Sequence, residues 1–97
     1  MTERPRELNR ADFRRALSRR DRERMIRGEF RNGADIRALR HFTGLSQVQF
    51  AEALGISVHT LRNWEQDRRK PEGPALALLR VAARHPRVVH ENLATPA

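Results

Sequence analysis

The chain has 97 residues, room for one small domain with a modest core and one extension. Its 20 basic residues against 12 acidic ones give a formal charge of +8, an excess that favours a polyanionic partner, most often nucleic acid. The absence of cysteine excludes a disulfide framework and a thiolate metal site, and no apolar run approaches the ~20 residues of a membrane span or reads as a signal peptide; a cytoplasmic protein is expected.

The charge is uneven. Residues 1–32 hold eleven arginines against six acids, a net of +5. Residues 33–74 are nearly neutral, with six basic and five acidic groups. The first segment therefore reads as a basic N-terminal arm preceding a domain over 33–97. Leu8, Phe13, Ala16, Leu17, Met25, Ile26 and Phe30 are able to line one side of two short helices within the arm. A soluble, partly helical or flexible arm and a segment that orders on a partner are the competing readings.

From Gly33 the helix punctuation sharpens. A first helix over about Ala34 to Phe42 turns Ile36 and Leu39 inward and stops at Gly44. Ser46 and Gln49 form the S-x-x-Q capping box of a second helix, which buries Phe50, Ala51 and Leu54 and stops at Gly55. Ser57 caps a third helix that runs to about Gln66. On its wheel Leu61 and Trp64 share one side, while Val58, His59, Arg62 and Asn63 gather on the other. The polar loop DRRKPEGP follows. Pro74 then opens a fourth helix, ALALLRVAARH, and Pro86 a short fifth. The expected fold is all-α, with five helices of about two to three turns.

Spacing in the central pair is specific. Counted from Gln47, Ala51 is fifth, Gly55 ninth and Leu61 fifteenth. A small residue at Ala51 lets the two helices cross closely, and Gly55 permits the turn that sets them at ~90–120°. Ile56 and Leu61 lock that angle by packing. This is helix-turn-helix spacing, with an ordinary two-helix hairpin as the competing reading. An enzyme is not expected, because His41, His59, His85 and His90 are scattered without metal-ligand spacing and no serine has a His/Asp arrangement. No cofactor or metal is expected either.

The stretch IRALRHFTGLSQVQFAEALGISVHTLRNWEQDRRKP resembles the Xre/Cro/CI-type helix-turn-helix domain, a lambda-repressor-like fold of bacterial and phage regulators. The continuation EGPALALLRVAARHP makes it similar to a subgroup that includes HigA-type and MqsA-type antitoxins. The resemblance covers about residues 33–93. It implies a third helix in the major groove, with Val58, His59, Arg62 and Asn63 as base readers. Their chemistry suits that role. Asn63 can pair bidentately with adenine, Arg62 with guanine or a phosphate, and Val58 can pack on a thymine methyl.

Phosphate contacts are expected from Ser46, Gln47, Ser57 and Thr60 near helix starts, and from Arg68, Arg69 and Lys70 in the following loop. The resemblance also implies a partly buried Arg40–Glu65 ion pair. Asp67 departs from the pattern, since relatives usually carry glycine there, and a left-handed residue at that point is strained.

The fourth helix is apolar on more than one side. Leu78, Val81, Val88, Val89 and Leu93 are expected to form an isologous homodimer contact, with completion of a monomer core as the alternative. Such a dimer would set two recognition helices roughly 34 Å apart, matching an inverted repeat in double-stranded DNA. In HigA-like relatives, segments outside the helix-turn-helix bind a small ribonuclease toxin. By that resemblance Leu8, Phe13, Leu17, Met25, Ile26 and Phe30 are candidate anchors for a small basic toxin. The other reading of the arm is that it follows DNA phosphates, in a stand-alone regulator with no toxin.

Overall fold

The computed structural model describes residues 17–94. Among them are six helices and no strand: α1 (Arg19–Ile26), α2 (Gly33–Thr43), α3 (Gln47–Leu54), α4 (Val58–Glu65), α5 (Pro74–Arg84) and α6 (Pro86–Ala94). Local chemistry sets the borders. Ser18, Asn32, Ser46 and Ser57 each accept the backbone N–H three residues on, and Ser46 also closes a reciprocal capping box with Gln49. Proline at the first position of α5 and α6 costs nothing there, because that N–H lacks an intrahelical acceptor. Gly55 follows α3 with φ 73, a left-handed turn that only glycine adopts without strain.

The core is continuous. Leu39, Phe50, Leu61 and Leu79 are fully buried, with Ile36, Met25 and Ala51 beside them. Each such large side chain contributes roughly 1.5–3 kcal/mol relative to leaving it in water. The α2–α3–α4 unit meets α5 and α6 on its other side. His90 Nδ1 lies 3.1 Å from the Thr43 carbonyl, and Asn92 donates to the Ala53 carbonyl at 2.7 Å. These two contacts fasten α6 to the ends of α2 and α3.

Residue 32 is not a structural border among the described residues. Leu17 and Met25 are buried in the main core, and Ile26 and Phe30 are half-buried against it. That corrects the expectation of an arm over the whole of 1–32 and removes Leu17 and Met25 as exposed anchors. Leu8 and Phe13 lie outside the described residues. α1 packs along α5, and an arginine from each caps the other helix. Arg22 donates to the Ala83 and Arg84 carbonyls at 2.9 and 3.1 Å, while Arg80 donates to the Ile26 carbonyl at 2.9 Å. These cations satisfy carbonyls that have no acceptor role within their own helices. Arg22 also stands 5.5 Å over the Phe42 ring.

Arg24 gives α1 its second attachment. Only 8% of its side chain is exposed, and its fork grips Asp35 at 2.7 and 3.1 Å while also reaching Asp21 and the Glu29 carbonyl. Burial pushes the Asp35 carboxyl up, but the Arg24 hydrogen bonds, the Arg31 amide and the nearby positive charges outweigh it and hold the group below its ordinary range. Hydrogen bonds from Arg24 and Ser18 lower Asp21 likewise. Depressed carboxylate values stabilise the fold above the unfolded pKa of about 3.8, and that stability is lost as pH falls through the folded values. Thermal melts should therefore show a steep loss below about pH 4, and Asp35→Asn should make the difference between about pH 6 and about pH 3 clearly smaller.

The expected dimer residues divide. Leu78, Val81 and Val88 are exposed, at 38%, 46% and 56%. Val89, at 5%, belongs to the core instead, because α6 turns that position inward between α2, α3 and α5. The Leu93 side chain lies outside what is described.

Candidate nucleic-acid interface

The surface expected to meet DNA is built from α3, the turn at Gly55 and α4. Ser46 and Ser57 start the two helices by accepting from Gln49 N and Thr60 N at 3.2 and 3.0 Å. The other first-turn amides of each helix lack intrahelical acceptors and carry the positive dipole end. Thr60 Oγ1 sits 2.9 Å from Ser57 Oγ, so the two hydroxyls form one polar group at the start of α4.

Along α4 the residues separate by face. Leu61 and Trp64 are buried, His59 and Arg62 are exposed, and Thr60 and Asn63 are half-buried. Val58 is half-buried and packs against the core, so less of it faces outward than the wheel suggested. His59 and Asn63 line a shallow groove of about 430 Å³ together with Arg69 and Lys70. Two of the expected base readers and two cations of the expected phosphate loop thus share one surface.

A relay of polar side chains holds the surface in shape. Arg40 grips Glu65 in fork geometry at 2.8 and 3.2 Å, with the Glu65 side chain only 2% exposed. Glu65 Oε1 also accepts from Gln47 Nε2 at 3.2 Å, and Gln47 Oε1 accepts from Arg62 Nε at 3.3 Å. Gln47, expected at a phosphate, therefore also orients Arg62. Sequence reasoning missed this link because the two are 15 residues apart, and only their joint places in the helix-turn-helix pattern could have paired them.

The loop after α4 is anchored twice. The backbone N–H groups of Arg68 and Arg69 donate to the Asn63 carbonyl at 2.9 and 3.3 Å. Asp67 is the only non-glycine with positive φ (61) among the described residues. Its Oδ1 accepts the Gly33 N–H at 2.7 Å, 34 residues away. The ~1–2 kcal/mol strain of a left-handed side-chain residue is offset by a charged hydrogen bond that glycine could not make. Arg68, Arg69 and Lys70 are exposed and make no ion pair among the described residues.

What this arrangement offers chemically is a cationic, hydrogen-bonding surface suited to a polyanion. Among the described residues no group of three His, Cys, Asp or Glu side chains is placed to hold a metal ion, and no helix is long and apolar enough to cross a membrane.

Comparison with known proteins agrees with this geometry. A family model described as a helix-turn-helix domain matches residues 33–93. Antitoxin HigA-2 of Vibrio cholerae is 42% identical over 52 residues, which cover 54% of this chain and 50% of that protein. The uncharacterized HTH-type transcriptional regulator YiaG of Escherichia coli is 40% identical over 52 residues, 54% of each chain. The chain spans about half the length of the curated relatives it matches. No solved structure matches it.

Proposed function

The chain belongs to the helix-turn-helix domain family, and from that premise we propose that it is a DNA-binding regulator of Xre type, a dimeric, sequence-specific repressor and the antitoxin of a two-gene operon whose promoter it represses. The observation that carries the DNA half is the single surface on which α4 presents His59 and Asn63 beside Arg69 and Lys70. Val58 and Arg62 complete the set of base readers, and Ser46, Gln47, Ser57, Thr60 and Arg68 the phosphate contacts. Exposed Leu78, Val81 and Val88 support the dimer, which would present two copies of α4 to an inverted repeat.

Similarity to an antitoxin supports the second half. A ribonuclease toxin would then dock on surfaces outside the helix-turn-helix. Leu8, Phe13 and the half-buried Ile26 and Phe30 remain its candidate anchors, since Leu17 and Met25 are core residues. The second reading, a stand-alone regulator without a toxin, is favoured by that burial and by the similarity to YiaG.

Two titrations test the DNA reading on duplex from upstream of the gene and on random duplex. Asn63→Ala should cost on the order of 1–3 kcal/mol at the specific site and relax base preference there. Arg69→Ala should weaken both duplexes alike and lower the salt slope by about 1. Equal losses on both duplexes for Asn63→Ala would remove it from the base readers. For the antitoxin half, the protein encoded next to this gene is expressed alone and then together with this chain. Growth arrest relieved by co-expression supports an antitoxin; no arrest leaves the plain regulator.

A further inference from the structure

Several described arginines are engaged within the fold. Arg22 and Arg80 cap helix ends, Arg24 and Arg40 hold buried carboxylates, and Arg19 and Arg27 pair with neighbouring glutamates. Arg31 is different. Its backbone N–H donates to Asp35 at 2.7 Å, which fixes where the residue sits. Its side chain is exposed and makes no hydrogen bond or ion pair among the described residues.

The place where it sits is informative. Arg31 lines a groove of about 200 Å³ together with Arg69 and Lys70, over a floor that includes Phe30, Ile36 and Trp64. Two distant segments, the α1–α2 connection and the loop after α4, therefore bring three exposed cations to one concavity. The acids nearby are engaged: Asp35 with Arg24, and Asp67 with the Gly33 amide. The first turn of α2 adds no anion site, because Asn32 and Asp67 already take N–H groups there. Asp67 lines the same groove and Asp35 feels the Arg31 charge, so the three cations are offset in part, but the concavity keeps a net positive charge that a bound anion would neutralise further.

We propose that Arg31 contacts a DNA phosphate, joining Arg69 and Lys70 in a two-segment clamp on the backbone that flanks the bases facing α4. The inference rests on the DNA-binding reading given above and adds to it a contact from before residue 33, outside the helix-turn-helix span. A phosphate contact of this kind positions the protein without reading sequence. It predicts an equal effect on every duplex.

The full-length chain is titrated with a mixed-sequence duplex of about 30 base pairs across a salt series, for wild type and single variants. Arg31→Ala should lower the slope of log K against log salt by about 0.9, the value of one lost phosphate contact, and Arg31→Lys should restore it. Arg84→Ala, which removes an exposed cation at the far end of α5, should leave the slope at the wild-type value. If Arg31→Ala keeps the wild-type slope while Arg69→Ala loses about one contact, the inference fails and the DNA reading stands. Equal losses for Arg31→Ala and Arg84→Ala would also overturn it, as diffuse charge would then explain the effect. Salt-insensitive or absent binding by wild type would remove the DNA reading and the inference together.

Discussion

Replacement of Arg40 by methionine should destabilise the fold by about 3–5 kcal/mol, a large part of the total for a domain of this size. Glu65 is the reason. Its side chain is 2% exposed, and it takes two of its hydrogen bonds from the Arg40 fork. Without Arg40 a carboxylate would remain in the core with only the Gln47 amide to satisfy it. Urea unfolding measures the loss. The double replacement of Arg40 and Glu65 by methionine should recover much of it, since apolar groups of similar volume often match a buried pair in stability. If Arg40→Met costs less than about 1 kcal/mol, the pair is effectively solvated and this account is wrong. DNA binding adds a second readout. Gln47 hangs on Glu65 and positions Arg62, so even the stable double variant should bind its site less well.

The second large effect is expected at Gly33, the first residue of α2. Helix propensity alone says that alanine should stabilise this position by up to about 1 kcal/mol. Packing says the opposite. A Cβ there would run into the Glu65 carbonyl and stand 2.7 Å from the Trp64 carbonyl oxygen, both backbone atoms that cannot rotate away. Gly33→Ala should therefore lose about 2–3 kcal/mol, with a Tm drop on the order of 10 °C or more. A variant as stable as wild type would mean that α2 and α4 can move apart at little cost.

How far the sequence discloses this molecule depends on the range of the signals. Helix borders from α2 to α6 are legible to within about one residue because the Ser46–Gln49 box, the Ser57 cap, Gly55, Pro74 and Pro86 act on neighbouring backbone. The helix-turn-helix is legible for the same reason. What escapes is the long-range pairing. Arg24 reads as one more charge in a basic segment, yet its partner Asp35 makes it a core residue. Asp67 reads as a defect until Gly33, far away in sequence, supplies its N–H. Val89 differs from Val88 only in which side of α6 it occupies, and that is settled by packing. On the candidate interface, the placement of His59, Asn63 and the basic loop on one surface follows from the motif. The Gln47–Arg62 link and the position of Arg31 do not.

The crossed arginine caps between α1 and α5 bear on how the protein opens. They connect residues more than fifty positions apart, so α1 cannot fray without stripping the end carbonyls of α5 and uncovering Met25. Local opening of the N-terminal helix is thereby coupled to opening of the centre. Amide protons of α1 should exchange with solvent nearly as slowly as those of α2, where a loosely attached leader would exchange early. A fragment begun at residue 33 would lack one wall of its own interior. It should melt at lower temperature and over a broader range than the intact chain.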